Sequence, residues 1–236
     1  MGFLTEFIYD LYRVLSDKIY LSFIKEDRYM YLVNGWVVSI EITAFAAIIG
    51  IVIGVLLAIA KIMKKPPLTQ IADWYVSVIR GTPVVVQLTI IYYVILANSN
   101  LPKIIVASIA FGINSGAYVA EIIRSGIQAV DRGQTEAGRS LGLSYGQTMR
   151  FIILPQAIKN ILPALGNEFI TLIKETSVAS VIAVTELTKA AQYIGSRTWD
   201  ILPPLIIAAL CYLAMVMGLS KLLSVFERRM AKGDRH

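Results

Sequence analysis

Two long stretches without charge limit what this chain can fold into. No Asp, Glu, Lys or Arg occurs in the nineteen positions 42–60, or in the twenty positions 201–220. Wound as a helix, either run is long enough to cross the ~30 Å hydrocarbon core of a bilayer. Composition agrees: 56% of the 236 residues are hydrophobic, 16% are charged, and the mean hydropathy is +0.66. Soluble domains are nearer ~45–50% apolar and ~25% charged. The chain reads as an all-α integral membrane protein.

A formal net charge of +6 raises the possibility of a nucleic-acid partner. The basic residues form no stripe with interleaved aromatics, however, but short clusters beside the apolar runs, so no nucleic-acid partner is expected. Cys211 is alone and lies in the last apolar run, which excludes an internal disulfide; His236, the only histidine, reads as a solvated terminus. The opening MGFLTE lacks a basic region and no cleavable signal peptide is expected. Phe3, Leu4, Phe7, Ile8, Leu11, Val14 and Leu15 recur at helical spacing, with Glu6, Asp10 and Arg13 on the other side. That pattern predicts an amphipathic helix over 3–15, either lying in the membrane interface or packed on its own bundle.

About five spans are expected: 32–63, closed by Lys64-Lys65-Pro66-Pro67; 68–97, interrupted by Arg80-Gly81-Thr82-Pro83; 103–123; 158–185; and 201–226. The organisation is then an amino-terminal amphipathic segment (1–28), one transmembrane domain (29–226) and a basic tail (227–236). Lys61, Lys64 and Lys65 follow the first span; Arg124, Arg132, Arg139 and Arg150 surround the third-to-fourth connection; Arg228, Arg229, Lys232 and Arg235 follow the fifth. The positive-inside rule puts the amino terminus outside, the carboxyl terminus inside and 124–155 in the cytoplasm. Arg13, Lys18, Lys25 and Arg28 run against that orientation, interleaved with Asp10, Asp17, Glu26 and Asp27.

The connection 124–155 is longer than a loop needs to be. Asp131-x-x-Gln134 and Ser144-x-x-Gln147 have the form of helix caps, and Gly142 between them suits a left-handed helix stop. The spacing predicts a helix over about 132–142, a tight turn, and a new helix from Ser144. Pro155 and Pro163 mark kinks or breaks beyond that point.

Glu136-Ala137-Gly138, three residues, Gly142, nine residues, then Ile152-x-Leu154-Pro155 resembles the EAA signature of ABC importer permeases. The one departure is Gly138 in place of the second alanine. The resemblance continues through "RGTPVVVQL" (80–88), "GAYVAEIIRSGIQAVDRGQTEAGRSLGLS" (116–144) and "LPQAIKNILPALGNEFITLIKETSVAS" (154–180), covering about 30–226. These segments are similar to permeases of the polar amino-acid uptake family, including histidine, arginine and glutamine systems. The resemblance implies a type I importer fold in a bacterial-type cytoplasmic membrane. It also implies a coupling helix that meets a dimer of ATP-binding subunits through Glu136, Ala137, Gly138, Arg139, Gly142 and Leu143. The further partners implied are a second permease chain and an extracytoplasmic amino-acid-binding protein.

Ionisable groups inside spans are functional candidates because their burial is costly. Asn114, Tyr118 and Glu121 fall at i, i+4 and i+7 on one face of the third span. In the fourth, Asn167, Thr171 and Lys174 share a face, and Glu168, Thr171 and Glu175 an overlapping one. Glu41 lies in the first span and Gln87 in the second. A zwitterionic substrate needs a carboxylate for its ammonium, which makes Glu168 the leading candidate for the substrate path. A local Glu121–Arg124 ion pair is an alternative use of Glu121. Arg80-Gly81-Thr82-Pro83 reads as a kink, with a functional role for Arg80 as the alternative.

No G-x-x-x-x-G-K-[ST] loop occurs, so this chain is not the ATPase. It is expected to be a transport subunit rather than an enzyme, importing polar, basic amino acids by alternating access. ATP and Mg act in the partner, and neither cofactor nor metal is expected here. Because five spans enclose little volume, a second permease copy is expected, a homodimer being the commoner symmetric solution. The alternatives are a secondary transporter driven by an ion gradient and a membrane-embedded enzyme; the latter finds no His cluster or nucleophile–base pair.

Overall fold

The computed structural model describes residues 2–232, which form helices and turns and no strand. Residues 233–236, with Arg235 and His236, lie outside the described residues. Helix α1 (Gly2–Ile19) continues through a π turn (Tyr20–Ile24) into a 3-10 turn (Lys25–Asp27), and α2 (Tyr29–Ile62) comes next. Phe7, Tyr9, Tyr12 and Val14 are each more than half exposed, so α1 is not packed on the bundle at these positions. An ion pair at its end, Lys18 Nζ to Asp200 Oδ2 at 2.7 Å, ties it to the chain before the last helix. That contact holds the Asp200 carboxyl below the usual carboxylate range.

α5 (Lys103–Gln128) is the central helix, with buried residues along most of its length. It packs on α2 through glycines. The buried stripe of α2, which includes Ser39, Ile42, Ala46, Gly50, Gly54 and Ala58, recurs every three or four residues. Across the contact, a Cβ placed at Gly112 would lie 2.6 Å from Cβ of Ile49 and 3.2 Å from the Ala46 carbonyl oxygen. Small residues let two helices approach closely where lipid gives no hydrophobic drive for association. Gly112→Ala is therefore expected to lower stability by about 1–3 kcal/mol through overpacking, read as a lower unfolding midpoint in detergent. An unchanged midpoint would mean that the α2–α5 contact yields.

The expected second span is broken. α3 (Leu68–Gly81) and α4 (Val84–Ile90), the latter prolonged by a π turn (Ile91–Ile95), meet at 106°. Pro83 has no N–H to continue the ladder and disfavours helix at Thr82, which is extended (φ −118°, ψ 144°). The freed backbone groups are collected by side chains: Thr82 Oγ1 donates to the Val78 carbonyl (2.9 Å), and Gln87 Nε2 donates to the Ile79 carbonyl (2.7 Å) and to Thr82 Oγ1 (2.7 Å). Such satisfaction is what a break at membrane depth requires.

α6 (Arg132–Ser140) and α7 (Tyr145–Thr148) form the expected hairpin, and a π turn (Met149–Ile153) leads to α8 (Leu154–Glu175). Pro155 sits in the first turn of α8, as a helix start permits. Of the kink or break expected at Pro163, a break is absent: α8 is continuous through it. The helix is held on both sides of the proline, by Ile161 packed against Gly126 of α5 and by Gly166 seated against Leu223 of the last helix. A 3-10 turn (Thr176–Ile182) ends at Ala183 in the left-handed region (φ 56°), and α9 (Leu187–Thr198) and α10 (Leu202–Lys232) complete the chain. The described part of the expected basic tail is thus helical.

Among the described residues, α2, α5 and α10 are long and apolar enough to cross a membrane singly, and the bent α3–α4 pair adds a fourth span if counted as one. α8, at the place of the expected fourth span, is not among those that qualify by composition. One apolar core gathers around Phe111, with Ile42, Leu88, Leu172 and Ile182; a second joins Leu32 and Ile173 to Leu187, Ile194 and Met215. α2 and α10 leave large apolar side chains such as Ile48, Leu56, Leu213 and Leu222 exposed, as helices bathed in hydrocarbon or covered by another chain do.

Candidate coupling surface and substrate path

The α6–α7 hairpin is fixed at each end by local hydrogen bonds. Asp131 Oδ1 accepts from the Gly133 N–H at 2.6 Å. The Gln134 side chain, expected to close that cap, instead accepts from Gln156 Nε2 at 3.4 Å, drawn to the return helix. At the other end Gly142 takes φ 83°, with Leu143 N–H donating to the Gly138 carbonyl (3.2 Å) and Gly142 N–H to that of Arg139 (3.0 Å). These are the two bonds of a Schellman stop. Ser144 and Gln147 then form a complete capping box.

The result is a short helix held rigidly on its return limb. Gly138 is buried: a Cβ there would lie 2.8 Å from Thr148 Cγ2 and 2.9 Å from Ile152 Cδ1. Expected to offer close approach to another surface, Gly138 is taken up instead by packing inside the hairpin. Arg139 also works internally, its Nη1 donating to the Leu143 carbonyl at 2.9 Å. Glu136, Ala137 and Gly142 are exposed on the outer side, and Leu143 is half-buried. Leu141, which spacing does not single out, stands 81% exposed at the tip, a large apolar side chain offered to whatever meets the hairpin.

The intramembrane candidates are linked through side-chain contacts, Arg80 reaching both Tyr118 and Glu121. Asn114 is buried and donates from Nδ2 to Gln87 Oε1 at 3.0 Å, so that Gln87, read as a path residue, has both ends of its amide engaged at the α3–α4 corner. The Arg80 guanidinium lies 5.2 Å from the centre of the Tyr118 ring, which is half-buried. Glu121 gathers three cations: Arg124 Nη2 at 2.7 Å, Lys61 Nζ, which also meets Asp73 at 2.9 Å, and Arg80 Nη1 at 3.9 Å. The local pair with Arg124 is thus present, inside a larger network joining the ends of α2 and α5 to α3.

Glu168 on α8 is half-buried and accepts from Ser115 Oγ of α5 at 2.9 Å. Thr171 is exposed, and Asn167 returns its amide to the Pro163 carbonyl at 3.1 Å. Glu41 is exposed on α2 and makes no hydrogen bond or ion pair among the described residues. The most enclosed carboxylate is one that spacing does not reveal, Glu186. It is fully buried and accepts from Thr188 N–H (2.7 Å), Lys189 N–H (2.8 Å) and Tyr212 OH (2.7 Å). It caps α9 and ties it to α10, a structural use. Among the described residues no group of three His, Cys, Asp or Glu is placed to hold a metal.

Residues 50–232 match the family model described as "Binding-protein-dependent transport system inner membrane component". The chain belongs to that family. It is 42% identical to the "Putative glutamine transport system permease protein GlnP" of Rickettsia bellii over 205 residues, covering 86% of this chain and 94% of the relative. It is 41% identical to the arginine transport system permease protein ArtQ of Bacillus subtilis, covering 86% and 94%. The L-cystine permease TcyB of the same organism is 41% identical, covering 92% and 93%. A chain of the solved "amino acid ABC transporter with histidines" is 46% identical, with a TM-score of 0.83 over 88% of this chain and 98% of that one. The methionine transporter MetNI, 17% identical at a TM-score of 0.75, shares the fold.

This member of the inner-membrane component family is accordingly a multi-pass permease subunit of an ABC importer for amino acids, and not itself an enzyme: ATP hydrolysis sits in a separate subunit. Importers of this family combine such a permease with an ATPase, a second permease and a substrate-binding protein.

Proposed function

We propose that this permease imports polar, basic amino acids as a homodimer, with its amino terminus outside and the α6–α7 hairpin in the cytoplasm against the ATPase. Four relatives of 41–46% identity, whose names specify glutamine, arginine, cystine or simply an amino acid, support an amino-acid substrate, and the arginine permease among them supports a basic one. ATP and Mg act in the partner, and no cofactor is assigned to this chain. α1 lies in the outer membrane interface, where its exposed Tyr9 and Tyr12 suit the boundary between lipid and water.

The observation that carries the mechanism is the hairpin: a helix locked at both ends, with Glu136, Ala137 and Leu141 outward, transmits displacement instead of absorbing it. Closure of the ATPases on ATP pushes α6, and α8, joined to it through the π turn, moves with it. In the bundle, Glu168 receives the cationic group of the amino acid, and Ser115 orients the carboxylate from behind.

Reconstitution with the ATP-binding subunit and binding protein tests both parts. Glu168→Gln keeps the shape and the Ser115 contact but removes the charge, so arginine uptake is expected to fall about tenfold or more, the value of a charged hydrogen bond. Complex assembly is expected to stay at the wild-type level. Unchanged uptake removes Glu168 from the path. Uptake that proceeds without ATP or the partner overturns the importer reading and leaves an ion gradient as the driving force.

A further inference from the structure

A basic cleft opens where α2 and α5 end, beside α6. Its volume is about 680 Å³, and Lys61, Lys64, Arg124 and Arg132 line it with no carboxylate among the lining residues. The charges are unequally compensated. Behind the cleft, Glu121 engages Lys61 and Arg124, Asp73 adds a second contact to Lys61, and Arg124 also donates to Gln128 Oε1. The side chains of Lys64 and Arg132 make no ion pair or hydrogen bond among the described residues. With Arg80 also on Glu121, five cations stand against two carboxylates, and Lys64 and Arg132 are the two that face the concave space with no carboxylate of their own.

Of the two free cations, Arg132 runs against its local structure. Lys64 takes the left-handed position (φ 50°) just past the C-cap of α2, an ordinary helix stop that points its side chain out at the membrane face. Arg132 occupies the first turn of α6, where the helix dipole disfavours a cation. An anion in the cleft would relieve Arg132 and pair with Lys64. The hydroxyls of Thr135 and Tyr145 line the same space and have no acceptor among the described residues, leaving neutral donors beside the charged ones. Guanidinium, ammonium and hydroxyl donors around a concave site are the chemistry that recognises a phosphate group. The place, at the ends of two spans where apolar sequence gives way to charge, is that of phospholipid headgroups.

We infer that this cleft binds a phosphate group, carried either by an anionic phospholipid of the adjoining leaflet or by a soluble phosphate. The test uses the full chain. Its unfolding midpoint in a neutral detergent is followed while inorganic phosphate is added. Separately, the chain is taken from nanodiscs of phosphatidylcholine containing phosphatidylglycerol, and the lipid it retains is counted by native mass spectrometry. Binding is expected in at least one arm, weakened about tenfold or more by the double variant K64Q/R132Q, at roughly 1 kcal/mol for each charge near a headgroup. Retained phosphatidylglycerol without a phosphate effect assigns the lipid headgroup, and the reverse assigns the soluble ion. Binding in neither arm, or binding equal in the double variant, overturns the inference. Should the double variant melt lower, R132Q alone carries the test, since removing a cation from the start of α6 does not weaken that helix.

Discussion

Glu186→Ala is expected to lower the stability of the permease by about 3 kcal/mol or more, among the largest losses available to a single substitution in this chain. The carboxylate is fully enclosed and accepts from the N–H groups of Thr188 and Lys189 and from the Tyr212 hydroxyl. Truncation leaves three donors without that acceptor, each costing about 1–3 kcal/mol. No relaxation into the space is available from the α2 side, because a Cβ at Gly35 would already lie 2.9 Å from the Glu186 carbonyl carbon and from Leu187 Cα. The measurement is the unfolding midpoint of the purified chain in detergent, with Glu186→Gln as the companion. The amide keeps one acceptor oxygen and the shape of the side chain, so its loss is expected to be smaller. An alanine variant that melts with the wild type would show that these hydrogen bonds are exchanged for water at no net cost.

Glu186 also shows where sequence reading stops. Its cap to Thr188 and Lys189 is local, but its enclosure comes from Tyr212, twenty-six residues on, and from a glycine on α2 far back in the chain, which no local spacing betrays. Spans are legible because a charge-free run has few alternatives to a helix, and the hairpin because capping is an i to i+3 affair: Ser144 with Gln147, and Gly142 at the stop, fall where the residues say. Arg80-Gly81-Thr82-Pro83 announces a break, but not its 106° angle, which depends on where the Gln87 amide reaches Ile79, Thr82 and Asn114.

Three residues have contacts that local spacing does not show. Gly138 packs on Thr148 and Ile152, and Gln87 accepts from Asn114, neighbours too distant in sequence for spacing to reveal. Pro163 looks like a break, and the packing of Ile161 and Gly166 on either side keeps α8 whole. Leu141 draws no notice in the sequence because one leucine in a polar loop carries no periodicity. Only its 81% exposure on a rigid turn makes it conspicuous.

Glu136→Lys is expected to reduce ATP-driven uptake about a hundredfold or more while leaving the permease folded, a loss of the size that like-charge contact at an interface produces. Glu136 is exposed and makes no hydrogen bond or ion pair among the described residues, so nothing in the chain depends on its charge. What holds α6 is elsewhere: the Asp131 cap, the Schellman stop at Gly142 and the buried Gly138 against Thr148 and Ile152. At an interface, by contrast, reversing a charge replaces attraction by like-charge repulsion costing several kcal/mol, and each ~1.4 kcal/mol is about tenfold in binding. Co-purification of the ATPase with the permease reads the contact and uptake into proteoliposomes reads the coupling, while the unfolding midpoint of the permease alone serves as the control for folding. Leu141→Ala is expected to weaken assembly without touching charge, which separates apolar docking from electrostatic docking at the same tip. Full assembly and full uptake in the Glu136→Lys complex would place the ATPase against another face of the hairpin, since a helix so tightly capped has no means of turning a lysine away from a surface it already touches.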